Sequence, residues 1–170
     1  MLMTMAAFHL AVLLSAAALL VAAAVNDGLH YRIPNKICVA MLVVFPLFIT
    51  TAPQIIDWKQ NIMVFVLILI SGFAMFMGNL AGAGDIKLLA VTGLWAGPHL
   101  VAVFLVGTAV AGGFVALGMA LLTHIRNRSA RLNQQPAVAV AKVPIPYGIA
   151  IAAGGLNVIY RLLEPILFPG

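Results

Sequence analysis

The sequence predicts an all-α, polytopic membrane protein with six transmembrane helices, folded as one domain over residues 1–170. Three observations predict it. Apolar residues make up 64% of the chain and charged residues only 8%, against about 25% charged in a typical soluble domain. Apolar stretches of spanning length recur along the chain, and the few basic residues gather in alternate connections. A spanning helix takes about 20 apolar residues, so six would use about 120 residues and leave about 50 for loops and ends. That remainder is too small for a separate soluble head, and no internal repeat is visible.

Five apolar stretches are plain, at about 5–25, 37–52, 61–78, 100–122 and 144–163. The first resembles a secretory signal in its Ala22-Ala23-Ala24 run. It has no Lys or Arg ahead of its apolar core, and that core exceeds the roughly 7–15 residues of a signal. It is therefore read as the first span. The remaining span is the short run Ile86 to Gly97, which rises only about 18 Å against a hydrocarbon core of about 30 Å. Merging it with the next stretch would give a helix of about 55 Å, and Gly97-Pro98 interrupts that run. Two helices joined by a tight turn are expected instead. The short helix then needs a thinned bilayer or a start inside a protein-lined recess, which puts Asp85 below the headgroups.

Basic residues in short loops orient such a chain. Arg32 and Lys36 fall in loop one, Lys87 in loop three, and Arg126, Arg128, Arg131 and Lys142 in loop five. That is seven of the nine; only Lys59 and Arg161 fall opposite. The odd-numbered loops are expected in the cytoplasm and both chain ends outside. The net charge of +5 is scattered between apolar runs, without the concentrated stripe that nucleic acid requires, so no nucleic-acid partner is expected. The lone Cys38 excludes an intramolecular disulfide and a cysteine-based zinc site.

Only four acidic residues exist, so each can be weighed singly. Asp57 lies in the polar loop Gln54 to Asn61 with Lys59, and Glu164 follows the last span beside Arg161; both read as solvated interfacial charges. Asp27 ends the first span and Asp85 begins the fourth, and the orientation set by the basic residues puts both on the cytoplasmic side. Ionisable groups at membrane depth cost about 2.5–3.5 kcal/mol at a helix centre and less near an interface, so they usually mark a function or a partner. Two close carboxylates resist double ionisation and hold one proton between them. The ionised member can take a proton from water as it attacks a peptide carbonyl, while the protonated member donates to the carbonyl oxygen. The titration belongs to the pair, so neither role is assigned to one residue.

Asp85 sits in Gly82-Ala83-Gly84-Asp85-Ile86-Lys87, whose glycines let the backbone turn sharply and approach another chain. A flexible loop capped by an Asp at a helix start is the plain alternative. Asp27 opens the run Asp27-Gly28-Leu29-His30-Tyr31-Arg32-Ile33-Pro34-Asn35, in which Pro34-Asn35 suits the start of a second span. An ordinary interhelical turn explains that run equally well in isolation.

Taken together, these segments resemble the type IV prepilin peptidase family of intramembrane aspartic peptidases. Asp27 precedes Ile33-Pro34-Asn35 as that family's first aspartate precedes an Ile-Pro-Asn, and Gly82 to Lys87 matches its Gly-x-Gly-Asp-x-Lys completely. Pro144 to Gly155 is similar to the Pro-Tyr-Gly and small-residue pattern that opens the family's last helix. Gly-x-Gly-Asp alone is shared by presenilin-like and signal-peptide-peptidase-like enzymes, which place a Tyr-Asp pair inside an earlier span; here Asp27 follows Asn26 at a span end. The resemblance implies catalysis by Asp27 and Asp85, with Gly82, Gly84 and Lys87 as the active-site loop and no cofactor. It implies a prepilin substrate with a short basic leader, cut at the cytoplasmic face of the inner membrane, and other pilus assembly components as candidate partners beside the lipid bilayer. Longer members carry a cysteine-paired insertion and also methylate pilin. This chain lacks the insertion, so peptidase activity without methyl transfer is expected, as in the short enzymes of tight-adherence (Flp pilus) systems.

Other residues have simpler readings. Lys87, two positions after Asp85, points away from it on a regular helix and reads as an interfacial anchor. Arg32 and Lys36 are orientation signals. His9 reads as a neutral histidine bonded to a neighbouring helix, and the four histidines share no metal-binding spacing; no metal is expected. Gly72, Gly78, Gly107, Gly112, Gly113, Gly118, Gly154 and Gly155 read as helix-packing positions, and Trp58 and Trp95 as interface anchors. The rival functions are an ion- or proton-coupled transporter, which would need polar residues across several spans, and a non-catalytic assembly factor.

Overall fold

The computed structural model describes residues 2–132 and 145–167. These residues form five α-helices and no strand: α1 (Leu2–His30), α2 (Asn35–Thr51), α3 (Trp58–Met77), α4 (Ala83–Leu132) and α5 (Tyr147–Leu167). Lys142 and Pro144, which entered the orientation and the last-span motif above, lie outside them. α1, α3, α4 and α5 are long and apolar enough to cross a membrane, whereas α2 is a shorter apolar helix. Large apolar side chains such as Phe8, Leu67, Ile70, Phe114 and Leu117 remain exposed. Helices that are apolar on every side belong in lipid, and the chain is an integral membrane protein.

The expected interruption at Gly97-Pro98 is present. α4 is two helical arms, over 83–96 and 98–132, joined at Gly97 with φ 58° and ψ −173°, a left-handed φ that glycine adopts without a Cβ penalty. Pro98 has no N–H, so Leu94, four residues earlier, loses its helical donor. The Asn61 amide replaces it, donating to the Leu94 carbonyl at 2.8 Å. Asn61 is buried, so this bond ties the start of α3 to the break.

Three features differ from expectation. The second arm of α4 runs ten residues or so beyond 122, because His124 to Arg131 contains no residue that stops a helix. Trp95 is no interface anchor: it is 1% exposed, its ring lies 5.7 Å from Phe45 and 5.1 Å from Phe48, and its indole N–H donates to the Met41 carbonyl at 3.3 Å. An aromatic cluster supplied by α2 draws it inward, while Trp58 stays half-exposed. Gly113 and Gly118 face open space, whereas a Cβ at Gly154 would strike Thr108 and one at Gly155 would come within 2.7 Å of Thr92. Only the latter kind brings helices close.

The core is built mainly from α1, α2, α4 and α5, through Leu13, Leu20, Met41, Leu88, Phe104 and Ile159. α5 packs against both α1 and α4, while α3 rests chiefly on α4. His9 bonds across helices as expected, with Nδ1 2.9 Å from Thr51 Oγ1 on α2. One end of the bundle therefore gathers the last turn of α1 and the first turns of α2, α4 and α5.

Candidate functional site

Asp27 lies in the last turn of α1, one turn inside a clean stop. Tyr31 takes φ 52° and its N–H bonds the Asp27 carbonyl at 2.8 Å, the left-handed C-terminal cap that usually employs glycine. A bulky residue in that conformation is uncommon, and it turns the chain sharply toward Pro34 and α2. α3 ends in a similar device: Asn79 takes φ 54°, and Asn79 and Leu80 donate to the Phe76 and Met75 carbonyls at 2.9 Å. The chain is thereby delivered into Gly82 and the start of α4.

The Asp27 side chain is 4% exposed, and its Oδ2 accepts the Gly148 N–H at 2.7 Å. Gly148 is the second residue of α5, where backbone N–H groups have no partner inside the helix. The partial positive charge of the helix N-terminus compensates a carboxylate at this place. The contact requires glycine: a Cβ at position 148 would sit 2.8 Å from Asp27 Oδ2 and 2.9 Å from its Cβ.

Asp85 is the third residue of α4 and half-buried. Its carboxyl turns back over Gly82, so a Cβ there would lie 3.0 Å from Oδ2, the geometry of an acidic residue capping its own helix start. Gly84 lets the α4 backbone rest on Ile33, to which a Cβ would be 3.4 Å away. A cavity of about 660 Å³ opens between these segments, lined by Asp27 and Asp85, by Asn26 and the turn His30 to Pro34, by Gly82 to Gly84, and by Ile145. Among the described residues no three His, Cys, Asp or Glu side chains group as metal ligands do.

Of the residues singled out in the sequence, Asp27, Asp85, Gly82 and Gly84 share this cavity, although Asp27 and Asp85 come from helices far apart in the chain. Lys87 is not on its wall. Its ammonium donates to Asn35 Oδ1 at 3.1 Å, joining the first turns of α2 and α4. Gly148 went unrecognised as a site residue, as did Tyr31, although the Pro-Tyr-Gly pattern marked the neighbourhood of the first. Arg32, read only as an orientation signal, borders the cavity.

A sequence profile described as the type IV leader peptidase family matches residues 14–117. The chain belongs to the type IV leader peptidase family. The match spans more than half the chain and includes both Asp27 and Asp85, while Gly148 lies beyond it. No curated protein and no solved structure matches the chain. Membership makes the protein a membrane-embedded peptidase with prepilins as the substrates the family implies, and ties it to pilus assembly.

Proposed function

We propose that the chain is an aspartic endopeptidase that removes the short leader from Flp-like type IV prepilins at the cytoplasmic face of the inner membrane. The observation that carries the reading is the shared cavity: the two acids of the chain that lie at helix ends on one side both border it, and one is held by the first turn of the last helix.

In this reading a water molecule binds between the carboxyls of Asp27 and Asp85, which share one proton. The ionised member removes a proton as the water oxygen attacks the scissile carbonyl, and the other member gives its proton to the carbonyl oxygen. Collapse of the tetrahedral intermediate returns a proton to the departing amine. The Gly148 amide fixes the direction of the Asp27 carboxyl, Gly82 leaves room for the Asp85 carboxyl to turn back over it, and Gly84 lets α4 close on Ile33. Lys87 acts at a distance, by holding α4 to the Pro34-Asn35 turn.

The topology proposed with it has six crossings, counting α2 and each arm of α4 separately, with the acids on the side favoured by the basic residues. A pilin helix in the bilayer can then lie beside the bundle with its leader at the cavity mouth. No methyl transfer belongs to this reading, since the chain carries no paired-cysteine insertion.

Cleavage of a co-expressed prepilin by wild type, Asp27→Asn and Asp85→Asn tests it. Each amide keeps the shape and removes the acid, so either change is expected to abolish cutting while the protein remains in the membrane. Full cutting by either variant would remove the aspartate pair from the mechanism.

A further inference from the structure

At the end of the bundle opposite the acids lies a second cavity, of about 270 Å³. Its wall comes from the early part of α1, the end of α2, the connection to α3, the break in α4 and the end of α5. Helix length explains its position. α2 has 17 residues and rises about 26 Å, and the arm over 83–96 rises about 21 Å, against a hydrocarbon core of about 30 Å. Both begin at the acid end, so both stop short of the opposite surface. In a bilayer such a deficit is met by local thinning or by snorkelling of flanking residues, and it leaves a recess at this surface.

The polar groups on this wall include Gln54, Gln60, Asn61 and His99 beside one carboxylate and one guanidinium. Asp57, whose carboxylate caps α3 by accepting the Lys59 N–H at 3.1 Å, and Arg161 both border the cavity, with no ion pair joining the two. His9 is 3% exposed and stacks on Phe48 with ring centroids 5.5 Å apart. The Thr51 hydroxyl donates to the Leu47 carbonyl at 2.6 Å, so its oxygen accepts from His9 Nδ1, leaving Nε2 as the acceptor of the ring. The apolar part of the wall is formed by Ile55, Leu162 and Ile166, with the buried Phe48 and Trp95 bordering it.

We propose that this cavity binds a membrane phospholipid whose headgroup carries a phosphate and a primary ammonium. Arg161 takes the phosphate, Asp57 takes the ammonium, and a segment of one acyl chain lies against the apolar wall near Trp95. Charge complementarity selects this class. The hydrogen bonds that reach the Asp57 carboxylate come from uncharged groups, the Lys59 N–H at 3.1 Å and the Gln60 side-chain amide at 2.9 Å, so a purely anionic headgroup adds no countercharge to it, and a quaternary ammonium has no N–H to donate to it. The proposal rests on the protein being embedded in a membrane and is independent of the aspartate-pair reading.

Tryptophan fluorescence tests it, because Trp58 and Trp95 are the two tryptophans of the chain and Trp95 is on the cavity wall. The Trp58→Phe protein is placed in nanodiscs holding graded amounts of chain-brominated phosphatidylethanolamine, phosphatidylcholine or phosphatidylglycerol. The ethanolamine lipid is expected to quench Trp95 at several-fold lower mole fraction than the other two. Arg161→Gln or Asp57→Asn should abolish that preference; Asn caps a helix as well as Asp, so the second change removes charge without unseating α3, which far-UV circular dichroism verifies. Equal quenching by all three headgroups, a preference for the glycerol lipid, or an ethanolamine preference that survives either substitution would overturn the proposal.

Discussion

Gly148→Ala puts a methyl group where the Asp27 carboxyl now lies. The added Cβ would be 2.8 Å from Oδ2, 2.9 Å from Cβ and 3.0 Å from Cγ of Asp27, so either the side chain or the start of α5 must retreat by several tenths of an ångström or more. The 2.7 Å bond from the Gly148 N–H is lengthened or lost, and a bond to a charged group contributes about 1.5–3 kcal/mol. A displacement of about 1 Å at a reacting group costs about 10²-fold in rate. Helix propensity alone points the other way, since Ala is favoured over Gly by about 1 kcal/mol in a helix interior. The substitution is therefore expected to lower the single-turnover rate of prepilin cleavage by about 10²-fold, with the protein still folded and membrane-inserted. Gly113→Ala is the control: its Cβ meets nothing within 4 Å, so cleavage should match wild type and stability should hold or rise. A Gly148→Ala enzyme cutting within twofold of wild type would refute the argument that this amide positions Asp27.

Two further expectations follow from the same geometry. Asn61→Leu leaves the Leu94 carbonyl without a donor beside Pro98, which should cost about 1–3 kcal/mol; reversible unfolding in mixed micelles would show it, and a change under half a kilocalorie would mean that another group answers that carbonyl. Lys87→Met removes the bond to Asn35 at an exposed position, so kcat/KM should fall less than tenfold where Asp85→Asn abolishes cutting. A loss as complete as that of Asp85→Asn would place the ammonium in the chemistry itself.

Much of the candidate site was legible because the chain is so poor in charge. With four acids in 170 residues, the two at span ends on one side stood out, and the structure places them on one cavity. The break in α4 was legible for a local reason, as Gly97 and Pro98 carry their backbone preferences wherever they occur. What escaped were contacts between distant segments. Trp95 shows the same sequence signature at an interface as in a core, and only the arrival of Phe45 and Phe48 from α2 decides between them. Asn61 reads as a loop polar residue until Pro98 is seen to leave a carbonyl unanswered next to it. Gly148 and Asp27 are separated by 121 positions, and nothing in either neighbourhood names the other. α4 continued past 122 because arginines and histidine, though unsuited to lipid, are acceptable helix formers.

The bond between Asp27 and Gly148 also sets an order of events during biosynthesis. α1 emerges from the ribosome first and α5 last of the described helices, so the carboxyl waits through the insertion of every intervening segment before its amide arrives. Until then the pocket lacks one wall, since Ile145 just ahead of α5 is absent too. A chain ending before α5 would hold both acids without the amide that fixes Asp27, so under this scheme proteolytic competence begins only after α5 has joined the bundle.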